Sequence, residues 1–246
     1  MTIETTCEQL KQMNMSRMAE SLKNRFQTGD HIDLSHEQFI GLLVEDEYIA
    51  RKQRRLQKMI ATAQFKPELP SLEDINYSPP RGFQKKDIMQ FSTLQWIENA
   101  QNIIFTGPTG CGKSFLAQAI AQQACRMGVA ALNLRYNMLI EETNAARGTG
   151  MYLKYLKKLA KVKVMIIDDF LMHNVTTMDL SSIMDVIEEK QQVGSIIITT
   201  QYPIPQWHKR MPDPTIADAI CDRLVHNAYK FHLEGDSMRK IKKNLK

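Results

Sequence analysis

No apolar run in this 246-residue chain approaches the 18 residues that a membrane-spanning helix needs. The N-terminal stretch also lacks the apolar core of a secretory leader. Cysteine is scarce and scattered: Cys7, Cys111, Cys125 and Cys221 form no CxxC pair, so neither a zinc site nor a disulfide framework is expected. There is no internal repeat and no low-complexity tract. These absences predict a cytoplasmic protein in a reduced compartment with no membrane partner. What is present is ordinary: 43% apolar and 24% charged residues, enough for one mid-sized core and a small extra module. The net charge of +5 leans only weakly towards an anionic partner.

The stretch that organises the rest is Asn102 to Leu116, NIIFTGPTGCGKSFL. Gly107, four intervening residues, then Gly112, Lys113 and Ser114 have the P-loop spacing. So short a pattern is decided by its context. Ile103, Ile104 and Phe105 suit a buried strand, and Leu116, Ala119 and Ile120 recur at helical spacing. The loop through Gly107, Pro108, Thr109, Gly110, Cys111, Gly112, Lys113, Ser114 and Phe115 would then cradle phosphates at a helix N-terminus, where the dipole favours negative charge. Lys113 would reach the β- and γ-phosphates of a nucleoside triphosphate, and the Ser114 hydroxyl would ligate Mg²⁺. Cys111 lies inside the loop, so thiol modification would block nucleotide binding.

A second anchor follows at Val164 to Phe170, VMIIDDF. Four apolar residues ending in carboxylates describe a central parallel strand whose C-terminal end reaches the phosphates. Asp168 would hold Mg²⁺, directly or through water, and Asp169 would polarise the attacking water. Another buried strand, SIIITT over Ser195 to Thr200, exits into Thr199, Thr200 and Gln201, polar groups placed to sense a γ-phosphate or water.

Around these anchors the chain divides into a helical N-terminal domain (1–64), a linker (65–82) holding Pro67, Pro70, Pro79 and Pro80, and an alternating strand–helix domain (83–246). In the first, a capping box at Thr6 and Gln9 opens a helix with Leu10, Met13, Leu22 and Phe26 along one stripe, broken at Gly29. Ser35 and Gln38 open a longer helix to about Ala63, with Leu42, Ile49, Leu56 and Ile60 on one face and Arg51, Arg55 and Lys58 on the other. RKQRRLQK carries five basic residues in eight, compatible with a solvated face or with contact to a phosphate backbone. In the third, Ile88 to Asn99 reads as one helix, and strands are expected near 129–135 and 229–234. From Arg147 to Lys163 there are six basic residues and no acid. There Lys154, Lys158 and Lys161 share the face opposite Tyr152, Leu156 and Leu159. This segregated face is better evidence for a polyanion than the net charge, and it makes Arg147 and these lysines candidate DNA contacts.

The constellation GPTGCGKS, IIDDF, ITTQYP, DPTIADAICDRLVHNAY and GDSMRK resembles the AAA+ ATPases of the DnaA/DnaC clade. Within them it is most similar to the IstB-type ATP-binding proteins of bacterial insertion sequences. The first two motifs are generic to P-loop ATPases; the last two are much more particular to that family. The resemblance implies an α/β fold with a central parallel five-stranded sheet flanked by helices, preceded by a small all-helical domain. It makes Lys113 and Ser114 the Walker A pair and Asp168 and Asp169 the Walker B pair. It places Thr200 and Gln201 at sensor 1 (where the wider superfamily often has Asn), Arg223 at an arginine finger acting on a neighbouring subunit, and Arg239 at sensor 2. The second Walker B acid is Asp where many AAA+ proteins use Glu. The basic helices before Walker B sit where the clade carries a DNA-facing insertion. The implied function is an ATP-dependent transposition helper that forms a homo-oligomer on duplex DNA and recruits or stimulates the transposase of the same element. The alternative is a replicative helicase loader of the DnaC type. A small-molecule kinase is disfavoured because no second substrate module is evident.

Overall fold

The computed structural model describes residues 2–78, 81–191, 193–235 and 237–238. They group into two compact units, Met1–Lys58 and Met59–Lys246. None of the described helices is long and apolar enough to cross a membrane.

The first unit is helical. α1 (Ile3–Gln12) and α2 (Ser16–Thr28) replace the single helix expected there, because the chain turns at Asn14, which takes a left-handed φ of 59°. Its cap also differs: the Thr2 hydroxyl, not Thr6, accepts from the first turn, at Thr5 N. α3 (His36–Thr62) opens with the expected box, Gln38 N donating to Ser35 Oγ and Ser35 N to Gln38 Oε1. Its packed positions are Leu43 and Glu47, while Ile49 is 45% exposed. Leu43 joins Cys7, Leu10, Ala19 and Leu22 in a small core. Glu47 explains the shift of face. Its carboxylate accepts from the backbone N–H groups of Arg17 and Met18 at the start of α2 and from Arg51 and Arg54. Burial pushes its pKa up, but these donors outweigh burial and hold it below the ordinary value.

The second unit is built on five parallel strands: β1 (Asn102–Thr106), β2 (Ala131–Arg135), β3 (Val164–Asp168), β4 (Ser195–Thr200) and β5 (Ala228–His232). Their order is β2-β3-β4-β1-β5. The inner strands are buried along their whole length, which is why they read as unbroken apolar runs. Before the sheet, the single helix expected over 88–99 is instead α4 (Lys85–Met89), a 3₁₀ turn (Gln90–Ser92) and α5 (Gln95–Glu98). The break lets Phe91 and Trp96 both point inward, 1% and 2% exposed, which one straight helix would not allow at a spacing of five.

The crossovers are α6 (Lys113–Arg126), then α7 (Tyr136–Gly148) with α8 (Tyr152–Ala160), then α9 (Thr177–Lys190) and α10 (Pro214–Val225). α9 is capped by a Thr176–Asp179 box and α10 by the Asp213 side chain on Ile216 N. The insertion of β4 between β3 and β1 matters most for function. In register, Ile198 pairs with Ile104 on one side and Ile167 on the other. The C-terminal end of β4 therefore lies between the P-loop strand and the carboxylate strand.

Candidate nucleotide and DNA sites

β1 ends at Thr106 and runs into the loop through Gly107, whose φ of 136° suits glycine. A Cβ there would stand 2.1 Å from the Leu233 carbonyl oxygen. The chain beyond β5 thus lies directly on the loop, and Met238 N donates to Gly110 O. Gly112, at φ 105°, is the N-cap of α6, so the free N–H groups of the first helical turn point into the loop.

Lys113 is 6% exposed. Its Nζ donates to the carbonyls of Gly107 and Pro108, each at 2.8 Å, so the loop curls around its own lysine. Burial lowers its pKa from the ordinary lysine value, opposed by Cys111, Asp169 and Asp168. Ser114 Oγ donates to Asp168 Oδ1 at 2.6 Å, joining the two candidate Mg²⁺ ligands. Asp168 is 1% exposed and takes a second hydrogen bond from Thr199 Oγ1. Asp169 has left the strand at φ 60°, and its backbone N–H donates to Thr199 Oγ1 at 3.2 Å. Thr200 Oγ1 donates to Phe170 O, tying the exits of β3 and β4 together. Gln201 follows Thr200 at the same end of the sheet.

These oxygens fit Mg²⁺. No group of three or more His, Cys, Asp or Glu able to hold a metal occurs among the described residues. Mg²⁺ needs none, since it is held by one or two protein oxygens together with phosphates and water. A cation is already drawn to the spot: Lys66 Nζ stands 3.5 Å from Asp168 Oδ2. The segment that carries Lys66 is fixed by Asn133, whose backbone and side-chain N–H groups donate to Ala63 O and Gln64 O, and by Gln118 accepting from Lys66 N. Lys66 escaped sequence reasoning because a proline-rich stretch reads only as a linker.

Arg223 does not join this cluster. Its carbonyl accepts from Asn102 Nδ2 at the start of β1, and five residues of strand put that point roughly 16 Å from the loop. Its guanidinium pairs with Glu188 at 2.9 Å, beside a cavity of about 200 Å³ also lined by Asn102, Lys190 and Asn227. Arg239 lies outside the described residues.

The candidate DNA residues separate into two groups. Lys154, Lys158 and Lys161 are exposed on or just after α8, whose Leu156 and Leu159 are buried. With Lys157 they line a groove of about 630 Å³ between α7 and α8. Arg147 instead turns inward. Its guanidinium donates to Asp185 and Ser182 and lies 3.7 Å from the Tyr152 ring centre. In the helical unit, Arg51 is paired with Glu47 at 2.9 Å and donates to Asn14 O, and Arg55 and Lys58 are exposed.

The fold is similar to that of several solved structures. DnaI superposes with a TM-score of 0.58 at 17% identity over 67% of this chain and 91% of that one. The DnaC helicase loader gives 0.56 at 18% identity, over 67% and 96%. AMPPCP-bound DnaA from Aquifex aeolicus gives 0.59 at 16%, over 74% and 55%. The molecule is therefore a P-loop protein of the AAA+ fold, of the DnaA/DnaC kind. Among curated proteins, an insertion sequence ATP-binding protein of Sinorhizobium fredii is 33% identical over 240 residues, 98% of both chains. The ATP-binding protein of insertion sequence IS1162 from Pseudomonas fluorescens is 32% identical over 203 residues, 82% of this chain and 88% of that one. The family model described as IstB-like ATP binding protein matches residues 8–246, and the chain belongs to that family.

Proposed function

We propose that this protein is a Mg²⁺-dependent ATPase that assembles on duplex DNA and serves a transposase, with hydrolysis timing its release. The observation that carries the reading is Asp168 accepting from both Ser114 and Thr199 at the ends of three adjacent strands, with Lys113 buried in the loop that follows the third. Family membership supports ATP as the nucleotide and an insertion sequence as the setting.

In this reading Lys113 exchanges its two loop carbonyls for phosphate oxygens when nucleotide enters. Ser114 and Asp168 would hold Mg²⁺, which would supply charge neutralisation at the phosphates. Thr199 fixes the Asp168 carboxylate, and Asp169 orients the attacking water. Phosphoryl transfer is mainly positioning and charge stabilisation, so a well-placed arginine is worth roughly 10³–10⁵ in rate. Arg223, at the far end of its own β1, is suited to act on a neighbouring subunit's nucleotide. That makes ATP the link between subunits. The lysines of α8 would meet the DNA backbone, with Arg51, Arg55 and Lys58 of α3 as a second contact and Arg147 supporting α8 from beneath.

The test is phosphate release with duplex DNA, with single strands and without DNA, read beside sedimentation of the ATP-bound protein. Duplex-stimulated turnover with a large ATP-dependent assembly is the expected result. A preference for single strands with no assembly on duplex would move the function to helicase loading, and no response to DNA would remove both.

A further inference from the structure

We infer that Arg81 is a second phosphate-binding cation of the nucleotide site, a role that rests on the nucleotide reading above. Arg81 precedes the strand–helix domain, and its backbone is fixed to the chain beyond β5 by Glu234 N donating to Arg81 O at 3.2 Å. The next residue holds it there: Gly82 takes a φ of 82°, and a Cβ on it would stand 2.1 Å from His232 O. The side chain is thereby delivered to the P-loop. Its Nη1 lies 3.8 Å from where a Cβ on Gly112 would be, at the N-cap of α6.

Two properties of this arginine call for an anion. It is only 8% exposed, and its Nη2 is buried with no hydrogen-bond partner among the described residues. A guanidinium stays charged in any protein environment, so an unpaired one cannot relieve its burial by losing a proton. It also sits at the positive end of α6, whose first residue is the buried Lys113, where an unpaired cation is least favourable unless negative charge arrives. The ligand that resolves all three is a phosphate chain. The part of the loop that Gly112 belongs to cradles the α- and β-phosphates, while Lys113 reaches on to the γ-phosphate. Arg81 therefore reads the phosphates common to ADP and ATP, and its fork can donate two parallel N–H bonds to their oxygens.

The experiment is equilibrium binding of ADP and of ATP to the full chain, with thermal unfolding measured with and without nucleotide, for wild type, Arg81→Met, Arg81→Lys and Lys113→Ala. Arg81→Met is expected to weaken ADP and ATP alike by at least about tenfold. It should also leave the nucleotide-free melting temperature unchanged or higher, since a buried unpaired charge has been removed. Loss of ATP binding alone, or affinities within twofold of wild type, would overturn the role. If the methionine variant does not fold, Arg81→Lys decides. An ammonium lacks the fork, so ADP affinity should fall about fivefold or more, and an unchanged value overturns the proposal. If wild type binds neither nucleotide, or Lys113→Ala binds as wild type does, the nucleotide site itself is wrong. If Lys113→Ala loses binding and Arg81→Met does not, only the Arg81 assignment falls.

Discussion

Lys190 carries a charge into a place with little water. It is 1% exposed, its Nζ donates to Val162 O, and burial with Lys163 nearby lowers its pKa from 10.5 to about 8. Between those two values the unfolded chain binds more protons than the folded one, so Lys190 makes stability rise with pH across that window. The rise amounts to roughly 3 kcal/mol in all. Chemical denaturation of wild type and Lys190→Met at several pH values should show it: the difference in stability moves towards wild type from about pH 8 to 10.5 and is flat below pH 7. A difference independent of pH would show that Lys190 titrates normally.

α8 shows how an element divides between packing and function. Leu156 and Leu159 bury one face, and the lysines stand on the other without acidic neighbours on the same helix. Replacing Lys154, Lys158 and Lys161 together with Gln removes up to three phosphate contacts and leaves the packed face intact. Each contact accounts for a slope of about 0.9 in log affinity against log salt. The triple variant should bind duplex DNA more weakly, with a slope shallower by about 2 to 3, measured by fluorescence anisotropy across salt concentrations. An unchanged slope would mark α8 as a solvated face. The inner strands and the opening of α3 were legible, since the apolar runs of β1, β3 and β4 and the Ser35–Gln38 box are local signals. The breaks at Asn14 and between α4 and α5 were not, because they answer to what the neighbouring side chains must bury.

For the assembled molecule, Arg223 makes the sharpest prediction. It is held by Glu188 at the end of β1 away from its own P-loop, and the proposed function has it act in the active site of a neighbour. Arg223→Ala should keep nucleotide affinity within twofold while losing at least about 10³ in turnover. Mixing it with Lys113→Ala, inactive for a different reason, should restore part of the rate, because some junctions then combine an intact P-loop with an intact arginine. No recovery over a full range of mixing ratios would place Arg223 in a structural role, bracing α10 against α9.

The P-loop, the paired carboxylates and the strand–helix alternation could all be read directly from the chain, because each is a contiguous segment whose chemistry depends on its immediate neighbours. The family resemblance has the same origin. The place of β4 between β3 and β1, the turning of Arg147 onto Asp185 and the arrival of Lys66 and Arg81 at the nucleotide site come from long-range packing. A linker lysine or arginine has no local pattern that distinguishes it. Its partner is supplied by strands and loops up to about 150 residues away along the chain, and only their packing brings the two within reach.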